Sequence, residues 1–316
     1  MRVAAIQMDT ALADVPHNLV AAKRLASQAA QAGAELIILP EFFTSGIAFD
    51  KAMLTVASYS EQTKAFLCFL SAELKAIIGG SFLEYSGGEV YNTFLLAFPS
   101  GECYAHRKDI PTQFENCYYT FGDQNNVLHT PIGEIGVALC WEMIRTDTLK
   151  RLAGKADFIL AGSCWWDLPE GAPAEQEPLR TYNQALAVET PVTFAGILGV
   201  PLIHAAHCSR FTAMSFPKAD RLQTRRMVGA AQIIGAGGEV LARRTFKEGE
   251  GMVIADIRPQ KNAKADLYDK ERYWIPDLPQ VYLSAWEKNN ALGREYYQTV
   301  ANPYYRGMMN KKERTT

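Results

Sequence analysis

The feature that most restricts the fold of this chain is the alternation of short apolar runs with longer amphipathic stretches. The runs predict strands over residues 2–8, 35–40, 76–84, 90–98, 135–140, 157–164, 191–200, 229–235 and 251–257. Helices are predicted over 16–33, 61–76, 143–154 and 174–189. Continuous apolar runs are typical of parallel strands, whereas turn-bounded pairs are typical of hairpins, so the sheets are predicted to be mixed. There are too many predicted strands for one doubly wound sheet. The elements instead indicate an α/β fold with two packed sheets and helices on both outer faces.

Composition excludes several classes of protein. A net charge of −2 provides no field that would favour nucleic acid or an anionic membrane surface. No apolar stretch approaches the roughly 18 residues that a membrane helix needs, and residues 1–8 are too short for a signal peptide. We therefore expect a cytosolic protein. Its six cysteines form no C-x-x-C pair, so we expect free thiols.

One cysteine occupies an unusual position. In "EIGVALCWEMIR" (134–145), Cys140 closes an apolar strand and is followed at once by Trp141 and Glu142. A helix beginning at this join would favour a thiolate. No serine lies in a G-x-S-x-G elbow, so Cys140 is the leading candidate nucleophile.

Three further polar residues follow predicted strands. Glu41 comes after "ELIILP", where burial could raise the pKa of a carboxylate enough for it to act as a base. Lys108 ends the hairpin strand in "AHRKDIPTQFE" and could stabilise an oxyanion. Glu115, seven residues later, could orient Lys108 or the substrate. If Lys108 acts on the transition state, Lys108→Met should lose activity and keep its thermal midpoint.

The residues alone leave alternatives open. His106, His129, His204 or His207 could serve as the base instead of Glu41, which would make the site a Cys–His site. The stretch "HAAHC" (204–208) offers two histidines and a cysteine as metal ligands, but it lacks the second half of a zinc pattern. No metal site is therefore expected. Arg145 could meet a substrate carboxylate, although an exposed helical arginine is the simpler expectation.

Taken together, the ordered motifs "LPEFF", "HRKDIPTQFE…GD" and "ALCWEMI" closely resemble the nitrilase superfamily of carbon–nitrogen hydrolases. The resemblance covers about residues 1–260. It implies that the Glu–Lys–Cys triad falls on Glu41, Lys108 and Cys140, with Glu115 as a second active-site glutamate. It also implies a four-layer α-β-β-α sandwich, assembly into homodimers or larger homo-oligomers, and catalysis through a cysteine thioester without metal or organic cofactor.

The substrate branch stays open between amidase and nitrilase. N-carbamoyl amidohydrolase and acyl-transfer activities share the triad, and a non-catalytic binding protein on the same fold is the alternative from a different class. Substrates are expected to be small amides, nitriles or carbamoyl compounds. An aromatic pocket wall is predicted from Trp141, Trp165, Phe42 and Tyr118, and it would suit an apolar or aromatic acyl group.

The character of the sequence changes near residue 262. We predict a hydrolase domain over 1–261 and a C-terminal arm over 262–316 that packs on the core or on a partner subunit. The arm contains nine aromatic residues between 262 and 310, which are too many to remain in water. Truncation of the arm should therefore lower the oligomeric state.

Overall fold

A computed structural model describes residues 1–122, 127–216, 221–262 and 271–313. The strands of the main sheets are β1 Arg2–Met8, β2 Leu36–Ile38, β3 Ile77–Ser86, β4 Glu89–Ala97, β5 Cys103–Arg107, β6 Leu128–Thr130, β7 Gly133–Leu139, β8 Phe158–Ser163 and β9 Leu202–His207. They continue, after a small two-stranded sheet of β10 Arg210–Met214 and β11 Leu222–Arg226, with β12 Gly229–Ile234, β13 Val240–Thr245 and β14 Gly251–Asp256.

The α-helices alternate with these strands and continue after them. They are α1 Val15–Gln31, α2 Met53–Val56, α3 Ser60–Leu74, α4 Thr146–Leu152, α5 Glu177–Leu198, α6 Gln280–Tyr296 and α7 Asn302–Glu313. Short 3-10 turns occur at Gln113–Cys117 and Cys140–Ile144, and a π-helical turn over Tyr297–Ala301 joins α6 to α7. No α-helix in the described ranges is long and apolar enough to cross a membrane.

One predicted strand is wrong. Residues 191–200 belong largely to the second half of α5, which continues through Pro191 to Leu198. Phe194, Ala195 and Leu198 are buried against the sheet, so this half of the helix carries an apolar sequence that resembles a strand. The strand that follows α5 is β9, which contains most of the stretch 204–208 considered above as a source of metal ligands.

The main strands form two connected halves. One half has the order β5-β4-β3-β2-β1, with β14 pairing along β1. The other has the order β6-β7-β8-β9, and it continues through β12 to β13. The halves join where Gln7 and Met8 pair in parallel with Ala206 and His207.

Side-chain alternation shows how the layers stack. In β1, Val3 and Ala5 face the core that lies between the two halves. Phe158 and Leu160 of β8 face the same core from the other half. Their neighbours in sequence point outward. The outward-pointing residues of β1 pack against α1 and α3, and the outward-pointing residues of β8 pack against α4 and α5. The predicted four-layer α-β-β-α sandwich is therefore confirmed.

Candidate active site

The sheet topology brings four loops to one edge of the molecule. β1, β2 and β3 are parallel, β5 has the same direction because it is antiparallel to β4, and β7, β8 and β9 are parallel to one another. Since β1 and β9 are also parallel, the carboxyl ends of β2, β5, β7 and β8 lie on the same side. Glu41, Lys108, Cys140 and Cys164 leave these strand ends, and ligand sites in α/β folds form at such ends.

Glu41, Lys108 and Glu115 form a continuous chain of buried hydrogen bonds. Lys108 Nζ donates to Glu41 Oε1 at 2.9 Å and to Glu115 Oε2 at 2.8 Å. Asn92 on β4 supports the first contact, because its side-chain amide donates to Glu41 Oε1 at 2.9 Å. The hydroxyl of Tyr119 donates to Glu115 Oε2. The lysine and Glu41 are fully buried, so their charges are not screened by water.

The backbone around Glu41 is held closely against the neighbouring strand. Cys164 N donates to Glu41 Oε2 at 3.0 Å. Gly162 on β8 permits this approach, because a Cβ at that position would lie 2.7 Å from the backbone nitrogen of Glu41. His207 bonds the Glu41 carbonyl oxygen through Nε2 at 2.5 Å. The carboxylate therefore has a defined orientation before any ligand binds.

Burial and ion pairing together determine the protonation equilibria of the site. It raises the pKa of Glu41 to about 7, although the Lys108 charge opposes the rise. For Lys108, burial alone would lower the pKa, but the carboxylates of Glu115 and Glu41 outweigh it and hold the pKa well above its usual value. Lys108 is thus a permanent cation, whereas Glu41 can exchange a proton near neutrality.

Cys140 lies at a sharp corner between β7 and the following 3-10 turn. Its φ of 50° is in the left-handed region, an uncommon conformation for a residue other than glycine. Burial and the Glu41 carboxylate raise the pKa of its thiol, and Lys108 only partly opposes them. The expectation that a helix N-terminus favours a thiolate is wrong for this fold, because the turn is only five residues long and the thiol is buried.

Glu142 anchors this corner, a role that was not foreseen from the sequence. Its carboxylate accepts from Leu139 N at 2.8 Å and from Asp109 N at 3.1 Å, so it ties the Cys140 corner to the residue after Lys108. His106 Nε2 lies 3.1 Å from the same carboxylate. The His106 interaction lowers the pKa of Glu142 despite complete burial. A glutamate three residues after the end of a strand is a capping pattern that could have indicated this role.

Arg145 is not exposed, contrary to the simpler expectation. Its guanidinium is buried, donates to both carboxylate oxygens of Asp109 at 2.8 and 2.5 Å, and donates to Trp141 O at 3.2 Å. Through these bonds Arg145 links the turn after Cys140 to Asp109, the residue that follows Lys108. Arg145 is therefore a structural ion-pair partner and is not available for a substrate carboxylate.

The histidines have structural partners of their own. His204 bonds Ala230 O and Ser163 Oγ, and His207 bonds Glu41 O and Thr10 Oγ1. Burial lowers the pKa of both rings to about 4, so they are neutral. They are three residues apart on β9 and point to opposite faces, so the two histidines of the stretch 204–208 do not face a common site. In the described ranges, no group of three or more His, Cys, Asp or Glu side chains could hold a metal.

A cavity of about 510 Å³ adjoins Cys140 and Glu115 of the site. Cys140, Glu115, Trp141 and Trp165 line it. The other two aromatic residues expected in its wall, Phe42 and Tyr118, are not among the described lining residues. Phe42 is fully buried and packs against Tyr119, whereas the Tyr118 hydroxyl bonds the backbone of Asp50.

The C-terminal arm forms one side of the cavity. Trp286 on α6 stacks on Trp141, with ring centroids 5.6 Å apart and an interplanar angle of 9°. Tyr282 and Trp165 both donate to Asn183 Oδ1, at 3.0 and 3.1 Å. Own-chain residues therefore cover the side chain next to Cys140. Tyr268, one of the nine aromatic residues counted in the arm, lies outside the described residues.

α6 also contacts the turn that carries Glu115. Asn290 Oδ1 accepts from Gln113 N at 2.7 Å and from Asn116 Nδ2 at 3.0 Å. Gly293 lets the helix approach closely, since a Cβ there would lie 2.6 Å from the Asn116 Cβ. Further along, Arg306 on α7 donates to the carboxylate of Glu89 at 3.0 Å. The arm thus supports the position of Glu115 from outside the main sandwich.

Comparisons with known proteins agree with this architecture. The model of the carbon–nitrogen hydrolase family matches residues 2–265. Nitrilase 3 of Arabidopsis thaliana is 28% identical over 85% of this chain and 82% of its own length. The chloroplastic omega-amidase of the same plant is 28% identical over 77% of this chain and 64% of its own length.

Two solved structures share the fold. A carbon–nitrogen hydrolase from Helicobacter pylori G27 has a TM-score of 0.70 and 19% identity, covering 82% of this chain and 89% of its own. An amidase from Nesterenkonia sp. AN1 has a TM-score of 0.65 and 19% identity, covering 86% of this chain and 96% of its own.

Proposed function

Since the chain belongs to the carbon–nitrogen hydrolase family, we propose that it hydrolyses a small amide or nitrile to a carboxylic acid and ammonia through a thioester on Cys140. One observation carries the proposal. A buried Glu41–Lys108–Glu115 chain reaches the wall of a cavity at Glu115, and the same wall includes a cysteine at a strained corner. The strongest electrostatic neighbours of that thiol include Glu41 and Lys108.

The proposed reaction with an amide has two halves. Glu41 takes the proton of the Cys140 thiol as the sulfur attacks the carbonyl carbon, and the carbonyl π electrons move onto oxygen. Lys108 and the backbone N–H of Trp141, at the first turn after the strand, stabilise the oxyanion. The C–N bond then breaks, the nitrogen receives the proton from Glu41, and ammonia leaves a thioester.

Water completes the cycle. Glu41 takes a proton from the water that attacks the thioester, and the sulfur leaves with that proton as the free thiol, so the acid is released and the enzyme is restored. With a nitrile, attack gives a thioimidate, and a water molecule must add before ammonia can leave. Glu115 keeps Lys108 charged and oriented throughout, because both bonds of the lysine to carboxylates are present in the resting site.

The protonation states favour concerted attack. A thiol whose pKa is raised by burial does not ionise before the substrate binds, whereas Glu41, with a pKa of about 7, is substantially a carboxylate at neutral pH. Proton transfer is therefore coupled to formation of the S–C bond. Trp141 and Trp165 supply an apolar wall for the acyl group. Assembly into a homodimer or larger homo-oligomer and a cytosolic location remain predictions.

The test is an ammonia-release screen over matched nitriles, primary amides and N-carbamoyl compounds, with intact-mass detection of an acyl-enzyme. Cys140→Ala should abolish both turnover and the mass adduct. Cys164→Ala is the matched control, because its thiol also lines the cavity. Turnover in Cys140→Ala, or its complete loss only in Cys164→Ala, would overturn the assignment of the nucleophile.

The same screen separates the remaining alternatives. Hydrolysis confined to N-carbamoyl compounds would identify that branch, and product formation only with an added amine would identify acyl transfer. Stoichiometric binding without any product or adduct would indicate a binding protein. Glu41→Gln, which is nearly isosteric, should be folded and inactive if the carboxylate is the base.

A further inference from the structure

Arg225 is an unusual cation in the wall of the same cavity. It lies on β11, is half-buried, and lines the cavity together with Cys140 and Glu115. Its guanidinium donates to three neutral oxygens: Gln223 Oε1 at 2.9 Å, Ser215 Oγ at 3.5 Å and Asp167 O at 3.5 Å. Two of these contacts are long. A guanidinium has five N–H donors, so capacity for an anionic acceptor remains.

Neighbouring arginines on the small two-stranded sheet differ in this respect. Arg210 lies 2.9 Å from a carboxylate oxygen of Glu170, and Arg226 lies 3.1 Å from one of Asp167. For Arg225, no described carboxylate lies within the 4 Å of an ion pair. Burial lowers the pKa of Arg225, and the charge of Asp167 only partly opposes this. Such a partly desolvated charge is costly unless an anion joins it.

The carboxylate of Asp167, whose charge acts on Arg225, already has cationic partners of its own. Asp167 Oδ2 is bonded by Arg226 at 3.1 Å, by Arg180 at 3.2 Å and by the side-chain amide of Gln184 at 2.7 Å. Arg226 and Arg180 share this carboxylate, and Arg180 also lies 3.2 Å from the carboxylate of Glu177, so these four charges balance and Arg225 adds a further positive charge. This part of the cavity is therefore electropositive.

An apolar wall connects Arg225 with the reacting groups. The guanidinium lies over the ring of Trp166, 5.8 Å from its centroid. That ring packs edge-on against Phe114 at 5.0 Å, and Phe114 precedes Glu115 in the chain. Trp166 likewise follows Trp165. A substrate chain could thus contact aromatic side chains between a reacting carbon at Cys140 and an anionic group at Arg225.

We propose that Arg225 binds a carboxylate at the distal end of the acyl group, so that the preferred substrates are amides or nitriles whose acyl chain ends in a carboxylate. This inference rests on the proposed function, because it names the substrate class of the same site. Planar bidentate geometry makes a guanidinium well suited to a carboxylate. It replaces Arg145, the residue that the sequence offered for this role.

The test compares matched substrates that differ only in the terminal charge. The probes are succinamate, glutaramate and adipamate against butanamide, pentanamide and hexanamide, assayed by ammonia release. The wild-type protein should prefer one carboxylate member over its neutral partner. Arg225→Gln should lower kcat/KM for that substrate by about 10- to 100-fold, the usual effect of losing a hydrogen-bonded charge, and change the neutral partner by less than about threefold.

Two further variants control for charge and geometry. Arg210→Gln removes one positive charge from the same small sheet at an exposed position outside this cavity, and it should retain the wild-type preference. Arg225→Lys keeps the charge without the fork and should recover part of the lost kcat/KM. A preference that disappears equally in Arg210→Gln and Arg225→Gln would assign the effect to net charge and overturn the proposal.

Binding separates this inference from the proposed reaction. In the Cys140→Ala background, the affinity for succinate, glutarate and adipate is measured by calorimetry. Replacing Arg225 by Gln should lower this affinity, whether or not the wild-type protein turns over amides. Hydrolysis of neutral amides without any effect of Arg225→Gln on carboxylate substrates or diacid binding would refute the substrate class alone. Absence of all turnover with Arg225-dependent diacid binding would refute the proposed reaction and retain the carboxylate site.

Discussion

Replacement of Lys108 by methionine tests whether this lysine is structural as well as catalytic. The sequence alone predicts that Lys108→Met loses activity without a change in thermal midpoint. The structure predicts otherwise, because Lys108 Nζ is the shared partner of Glu41 and Glu115 in a site from which water is excluded. Methionine would leave two buried carboxylates without their cation. Removing one partner of a buried ion pair costs about 3–5 kcal/mol.

The loss of folding stability in Lys108→Met should depend on pH in a defined direction. The pKa of Glu41 is raised from 4.5 to about 7 in the folded protein because burial outweighs the Lys108 charge, which corresponds to a net cost of about 3 kcal/mol for the charged form. A raised folded-state pKa means that the linked stability is present below pH 4.5 and is lost as pH rises through about 7. Without Lys108 the pKa rises further, so the variant should lose most stability above pH 7 and approach the wild type as pH falls towards 5.

Urea unfolding followed by circular dichroism at pH 5, 7 and 8.5 measures this dependence. Glu41→Gln is the matched control, because it leaves Lys108 paired with Glu115. The double variant Glu41→Gln/Lys108→Met should be more stable than Lys108→Met at pH 8.5, since only one uncompensated carboxylate remains. An unfolding midpoint of Lys108→Met equal to that of the wild type at pH 8.5 would refute the reasoning.

Three other predictions follow from the contacts of the site. If Glu41 is the base, kcat/KM should rise with pH through an apparent pKa of about 7, and a flat profile between pH 5.5 and 8.5 would contradict this. Asn290→Ala should lower kcat by about tenfold with little change in KM, because Gln113 N in the Glu115-bearing turn loses its side-chain acceptor and the Asn116 amide loses one of its three acceptors. Asn290→Asp keeps an acceptor and should restore most of the lost kcat. Glu142→Gln should destabilise the fold by about 1–3 kcal/mol, measured by urea unfolding, because the two carboxylate oxygens accept from two backbone N–H groups and an amide nitrogen cannot replace either of them. An unchanged midpoint would show that the Cys140 corner does not depend on it.

Much of the fold could be predicted from the sequence because its signals are local. The runs at 2–8, 76–84 and 229–235 became β1, β3 and β12 with small changes at their ends. The second half of α5 was mistaken for a strand, because periodicity alone cannot separate a short apolar strand from part of a buried helix. The division between hydrolase domain and arm at residue 261 stays a prediction.

Local patterns in the sequence likewise indicate some residues of the candidate site and not others. The polar residues at the strand ends could be named from the sequence, since each follows a recognisable apolar run. Phe42 and Tyr118 were misplaced because aromatic composition does not specify which face a ring occupies. No local pattern indicates the role of Asn290, because Gln113 lies 177 residues away in the chain. The bond of Glu142 to Leu139 is local and follows a capping pattern, whereas its bond to Asp109 spans 33 residues and depends on the tertiary structure.

The sequence by itself therefore determined the family motifs, the strand-end positions of Glu41, Lys108 and Cys140, and the layered α/β class, because these depend on neighbours within a few residues. Only the tertiary structure decided that Arg145 is occupied by Asp109 and that Arg225 faces the cavity without a described carboxylate partner. It alone also decided that burial raises the pKa of both Glu41 and Cys140. Desolvation and ion pairing depend on which distant segments exclude water from a group, and no local pattern contains that information.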